Sequence, residues 1–177
     1  TCFSTIAGGC RNQIEGTGWG TIGGGRLNYV GSTNAVIAGG RANCIGFASG
    51  ENAFIGAGCC NIISAGCSTI SGGQFNEISG NGIHGSITGG CAGTITGCYS
   101  SISSGQDNVV SGNRSFIGAG RDNCVTSSFA GIIAGCENCV ESGCAVIVGG
   151  YNNHIAPDGN RGVILGGGNN TINDGAS

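Results

Sequence analysis

An isoleucine returns along this chain at positions 6, 22, 37, 55, 70, 87, 102, 117, 132, 147 and 164. Gly always stands three residues after it, from Gly9 to Gly167, and Ile or Val always stands eight residues after it, from Ile14 to Ile172. Asn stands six residues after it in ten of eleven copies, with Gly93 in the remaining one. The basic interval is 15 residues, stretched to 16, 17 or 18 by insertions. A fixed period of this length denotes stacked coils that bury their apolar faces against one another. The expected fold is therefore all-β, a parallel β-solenoid (β-roll) of eleven coils. It occupies residues 1–177 as a single repeat domain, or as a segment of a longer fibre.

The coils are numbered 1 to 11 by their isoleucine, which is position 0. Position −2 is always Ser, Gly or Ala, and position +2 is Gly, Ala or Ser. In an extended strand, −2, 0 and +2 share a face, so a small–Ile–small pattern predicts a narrow interior. The Gly at +3 predicts a corner with positive φ or a close backbone approach. A second strand carries Asn at +6 and Ile or Val at +8 on one face. Two strands per coil, centred near 0 and +8, thus send two β-branched residues inward. At parallel strand spacing eleven coils make a rod roughly 50 Å long.

Stacked Asn side chains can bond one another and the backbone. The column Asn12, Asn28, Asn43, Asn61, Asn76, Asn108, Asn123, Asn138, Asn153 and Asn170 is accordingly assigned a structural role. All insertions fall between +10 and the next −2, at 17–19, 48–52, 81–84 and 158–161. Insertions confined to one corner decorate one edge and leave the stack unbroken.

Composition narrows the function. Charged residues are only 8 % of the chain, the net charge is −3, and all six basic residues are Arg. Nucleic acid is not an expected partner, because nothing resembles a basic footprint. No apolar run reaches membrane-spanning length, so insertion into a membrane is not expected. The chain has no Met, so a processed product or a piece of something longer is expected. Thr1 falls at +10 and Ser177 at −2 of partial coils. Another copy, or more of the same polypeptide, is expected to abut at least one end.

Twelve cysteines raise the question of disulfides and metals. Cys136-x-x-Cys139 resembles half of a zinc or redox motif. The repeat accounts for it more simply: Cys136 shares the +4 column with Cys10, Cys59 and Cys91, and Cys139 shares +7 with Cys44 and Cys124. Cys67 and Cys144 stand at the last linker position, and Cys2 and Cys98 at the first. Cys124 and Cys139, in consecutive coils, are candidates for a disulfide or for simple stacking, within Cα range of a bond. No metal or cofactor is expected. Gly18, Gly20 and Gly23 satisfy G-x-G-x-x-G, but no strand–helix unit follows. The acids are scattered and the two histidines lie far apart, so no catalytic residues are assigned and an enzyme is not expected. Asn113-Arg-Ser115 and Asn169-Asn-Thr171 are glycosylation sequons that matter only in a secretory pathway.

Units such as Ser68-Thr-Ile-Ser-Gly-Gly-Gln-Phe-Asn-Glu-Ile-Ser-Gly80 resemble the head repeats of trimeric autotransporter adhesins. They resemble still more the fibre repeats of phages and giant viruses. The resemblance spans the whole chain. It implies a left-handed β-roll, often a homotrimer, displayed outside a cell or virion, with a cell-surface receptor or glycan as a partner. The chain is also similar to insect antifreeze solenoids in coil length and Cys content. However, an ice face needs ranks of T-x-T, and only Thr94–Thr96 fits.

The expected function is a structural or adhesive fibre segment of a virion or cell surface, and the localisation extracellular. The alternative is a self-polymerising extracellular filament subunit, and an ice-binding protein ranks third. Self-association has an expected surface. Outward positions −1 and +1 are apolar, most clearly at Phe116, Ile133, Val146, Val148, Val163 and Leu165, with Val36 and Phe54 nearer the start. Outward +7 and +9 are mostly polar, including Gln13, Glu15, Glu77, Ser79, Thr94, Thr96, Glu141, His154 and Asn173. The first-strand side is therefore expected to pack against other chains around a threefold axis.

Overall fold

The computed structural model describes residues 3–15, 18–46 and 50–173. Thr1, Cys2 and Ser177, and the linker residues Thr17, Ala48 and Ser49, lie outside this set. The described chain is a β-solenoid of eleven coils without helix, built on two parallel eleven-stranded sheets. Each coil gives one two-residue strand to each sheet. The first sheet runs from Thr5–Ile6 to Val163–Ile164, the second from Gln13–Ile14 to Thr171–Ile172. Register follows the sequence columns. Ile37 pairs with Ile55 across the longest insertion as cleanly as Ile132 pairs with Ile147. A one-residue slip would turn the branched side chain out and its polar neighbour in, which holds this register.

The two aliphatic columns form the core. Position 0 is fully buried from Ile22 to Ile147, or within 1 % of it, and +8 is fully buried from Val30 to Ile155. Each such side chain contributes roughly 1.5–3 kcal/mol relative to exposure. The terminal coils differ, because they have a neighbour on one side only. Ile6 is 45 % exposed, and Ile14 and Ile172 are half-buried.

Position −2 lies inside, as at Ala35, Ser68 and Ala145. Position +2 does not, which corrects the small–Ile–small expectation. The strand ends at 0, the chain turns at once, and Gly24, Gly72 and Ala134 are only half-buried while Ala57 is exposed. The inner face is completed instead by +6, +8 and small residues at +10 such as Ser32, Ala65 and Ser142.

Three corners per coil make so tight a turn possible. At +3 every Gly has positive φ, between 87° and 114°. A Cβ on Gly25 would stand 2.1 Å from the Gly40 carbonyl oxygen, so the column needs both the dihedral and the close approach that glycine allows. At +5 the backbone is again left-handed in all eleven coils, without one Gly: Leu27, Phe75, Asp107 and Glu137 are examples. At −3 it is left-handed from Asn34 to Arg161, through bulky residues such as Tyr99 and Phe129. Each such residue costs roughly 1–2 kcal/mol. Axial hydrogen bonds hold them there. The +5 N–H donates to the preceding coil's +4 carbonyl (Leu27 to Cys10, 3.0 Å), and the −3 N–H donates to the preceding −4 carbonyl (Arg114 to Cys98, 2.9 Å). Between the +3 and +5 corners, the +4 residues bridge in parallel from Cys10 to Gly168, a third ladder one residue wide.

The Asn column bonds to the backbone on both sides. The Asn28 Oδ1 accepts from the Asn43 N–H (3.0 Å) and from Asn43 Nδ2 (3.2 Å). The Asn28 Nδ2 donates to its own coil's Gly24 carbonyl and to the next coil's Gly40 carbonyl, each at 3.0 Å. The same four-way pattern recurs at Asn43, Asn123 and Asn153. Among the described residues, no buried side-chain nitrogen or oxygen lacks a partner.

Gly93 interrupts the ladder. Its N–H still donates to Asn76 Oδ1 (2.9 Å), but it offers no oxygen to the Asn108 N–H and no amide to the Gly89 and Gly105 carbonyls. Gly93→Asn is expected to restore these bonds and to raise stability by about 1–2 kcal/mol. A Cβ there would meet Asn76 Oδ1 at 3.1 Å, tight but at the end of a side chain. The check is Tm, with Gly93→Ala as the control that fills space without the amide. A gain no larger than that of the alanine variant would show that the ladder adds nothing at this rung.

Candidate functional surfaces

A rod of this kind presents its chemistry on its outer faces. On the first sheet, the −1 and +1 side chains point away from the core. Phe116 is 40 % exposed, Ile133 47 %, Val163 55 % and Leu165 77 %, and these follow one another over coils 8 to 11. Val148 is exposed and Val146 half-buried between them. Gly131 breaks the −1 column in sequence but not in shape. The Phe116 ring lies over it, so close that a Cβ on Gly131 would meet Phe116 Cε1 at 2.3 Å. Phe116 thereby fills the gap opposite Val146 and keeps the apolar strip continuous. Phe54 is exposed and Val36 half-buried near the start, separated from this strip by Thr69, Ser86 and Ser101.

The outer side of the second sheet is more polar but not wholly so. Ile62 and Val109 stand exposed at +7 among Glu77 and Thr94. The contrast between the two faces is therefore sharpest in the C-terminal half.

The +7 column places Cys124, Cys139 and His154 side by side in three successive coils, in direct parallel register. Glu141, two residues beyond Cys139, reaches His154: Oε2 and Nε2 are 3.0 Å apart. Cys139 and Cys124 share a hydrogen bond that holds the Cys124 thiol down to about 7 and pushes the Cys139 thiol up. Neither sulfur is in a disulfide in this structure. Cys136, by contrast, is on the +4 ladder, where Arg121 Nη2 lies 3.5 Å from its sulfur.

A second sulfur pair lies at the +4/+5 corner. Cys59 and Cys60 sulfurs are 3.1 Å apart, and Arg41 directs Nε and Nη2 at Cys59, each at 3.4 Å. The hydrogen bond from Cys60, and then those from Arg41, lower the Cys59 pKa.

The −3 edge carries a feature that the sequence reading missed. His84 and Tyr99 stack with centroids 4.7 Å apart at 16°. The Arg114 guanidinium then sits 5.6 Å from the Tyr99 ring centre and 5.5 Å from that of Phe129. Four consecutive coils thus build one cation–π stack on the insertion edge. Its signal was present, because His84, Tyr99, Arg114 and Phe129 all occupy −3. Beside this edge an open depression of about 440 Å³ is lined by Glu51, Asn52, Gly66, Cys67, Gly80, Asn81 and Ile83.

No helix of the described chain is long and apolar enough to cross a membrane. In comparisons with known proteins, no family model matches the chain and no curated sequence matches it.

Proposed function

We propose that the protein is a structural or adhesive fibre segment displayed on a virion or cell surface. In this reading it associates sideways with copies of itself, in threes, through the outer side of its first sheet. The observation that carries the reading is the continuous apolar strip from Phe116 to Leu165, where exposed apolar side chains follow one another over four successive coils. A strip of this extent covered by an identical rod removes apolar area from water without disturbing any coil. The extracellular placement rests on the resemblance of the repeats to fibre and adhesin heads.

The test is Val146→Lys with Val148→Lys. Four-carbon ammonium side chains on the strip are expected to dissociate the assembly to monomers while far-UV circular dichroism stays that of the wild type. Unchanged mass by light scattering in the double variant would remove the lateral interface from consideration.

End-to-end association is the second reading: the parallel strand ladders that join each coil to the next within the chain are the same pairing by which one copy would add to another. Electron micrographs of native material separate the readings: short rods of uniform length support lateral trimers, and long continuous threads support end-to-end stacking.

A further inference from the structure

We propose that Cys139, Glu141 and His154, with Cys124 as fourth donor, form a binding site for one borderline-soft divalent cation of the Zn²⁺ class on the outer side of the second sheet. One ligand atom from each of Cys139, Glu141 and His154 lies within 4.8 Å of the other two. Cys139 is the centre of the group, with Cys124 in register on one side and His154 on the other. A tetrahedral zinc site has Zn–S near ~2.3 Å and Zn–N or Zn–O near ~2.0–2.2 Å, which sets donor–donor separations of about 3.3–3.8 Å. The ladder fixes the backbone positions of Cys124, Cys139 and His154, so binding would draw the donors together by rotation about their side-chain torsions.

The donor set suits the cation. Two thiolates, one carboxylate and one neutral imidazole combine soft and borderline ligands, which favours zinc over calcium or magnesium. On binding, the two thiols release their protons to solvent and the His154–Glu141 hydrogen bond is exchanged for metal bonds. The surrounding +7 and +9 positions are Val109, Ser111, Thr126, Ala156, Thr171 and Asn173, so no cationic side chain competes. The other mixed cluster, Asp122, Cys136 and Glu137, is different. Arg121 lies 3.2 Å from Asp122 and 3.5 Å from the Cys136 sulfur and already neutralises it. A nucleophilic role for Cys139 is the weaker reading, since His154 and Glu141 are more than a third exposed on an open sheet face with no wall to hold a substrate. Bound metal would clip coils 8, 9 and 10 together.

The test takes the full chain, reduced and metal-free, and titrates it with Co²⁺, then displaces with Zn²⁺ against a chromogenic chelator. One equivalent is expected to give the intense visible bands of a four-coordinate site and a thiolate-to-cobalt charge-transfer band. His154→Ala and Cys139→Ser should each weaken this equivalent at least tenfold, and Glu141→Gln, of unchanged shape, should weaken it without perturbing the fold. Cys136→Ser should leave it intact. Equal affinity in wild type and His154→Ala, or a cobalt spectrum without thiolate character, would overturn the site. So would peptide mapping that finds Cys124 and Cys139 joined as a disulfide in the native protein.

Discussion

Ile132→Asp is expected to melt the rod around coil 9. Ile132 is fully buried, in register with Ile117 above and Ile147 below, both also buried. Deleting the aliphatic side chain alone costs about 2–5 kcal/mol. The carboxylate adds the penalty of a buried charge with no partner, because the column on either side is hydrocarbon. A solenoid is held by nearest-neighbour interfaces, so the damage concentrates at two coil junctions and does not spread evenly. The expected result is a large fall in Tm with loss of hydrogen-exchange protection at Gly118 and Ile133, whose N–H groups donate to the Ile132 and Ile147 carbonyls, one across each junction of coil 9. Ile132→Val, the mild control, should cost about 0.5–1.5 kcal/mol. Native protection in the aspartate variant would mean that position 0 is not the core.

Gly120→Ala is expected to have the next largest effect. Gly120 has φ of 111°, and a Cβ there would stand 2.0 Å from the Gly135 carbonyl oxygen and 2.6 Å from Asn123 Nδ2. Neither obstacle yields cheaply. One is the backbone of the next coil, and the other is an amide held by the Asn ladder. The dihedral strain contributes about 1–3 kcal/mol, and the coil must open to relieve the clash. The fall in Tm should be on the order of 10 °C. Gly89→Ala is the matched comparison. Nothing lies within 4 Å of its added Cβ, its φ is not left-handed, and Ala57, Ala119 and Ala134 already occupy the same column. That variant should be neutral or stabilised by up to ~1 kcal/mol, through reduced freedom of the unfolded chain. Equal behaviour of the two alanine variants would show that the +3 corner tolerates a side chain.

The amino-acid pattern by itself determined the stack. Identical residues at 0, +3, +6 and +8 leave only one arrangement in which every branched side chain is buried and every Asn meets another. That arrangement set the coil number, the parallel direction, the register and the place of the insertions. It revealed the corner at +3, marked by glycine in every coil, but not the other bends. The alternation rule placed +2 indoors, but each strand is two residues long and the chain has left the sheet by then. The left-handed corners at +5 and −3 were hidden because they are not glycines. Their trace is an exclusion: no Ile, Val or Thr occupies either column in a chain otherwise rich in all three. β-Branched side chains are those that positive φ tolerates least.

What only the tertiary structure decided was the company of the outward side chains. The shared +7 column already places Cys124 beside Cys139 in the sequence, whereas the corner at +5 carries Cys136, only three residues away, to another face. The groups that stand beside Cys139 come from the coils above and below, Cys124 and His154, each fifteen residues distant in sequence. Likewise the −3 residues are unremarkable linker positions until axial hydrogen bonds align them into a stack. In a solenoid the neighbour that matters is one period away. The column is written in the sequence, but which way each column points depends on the dihedrals at three corners per coil.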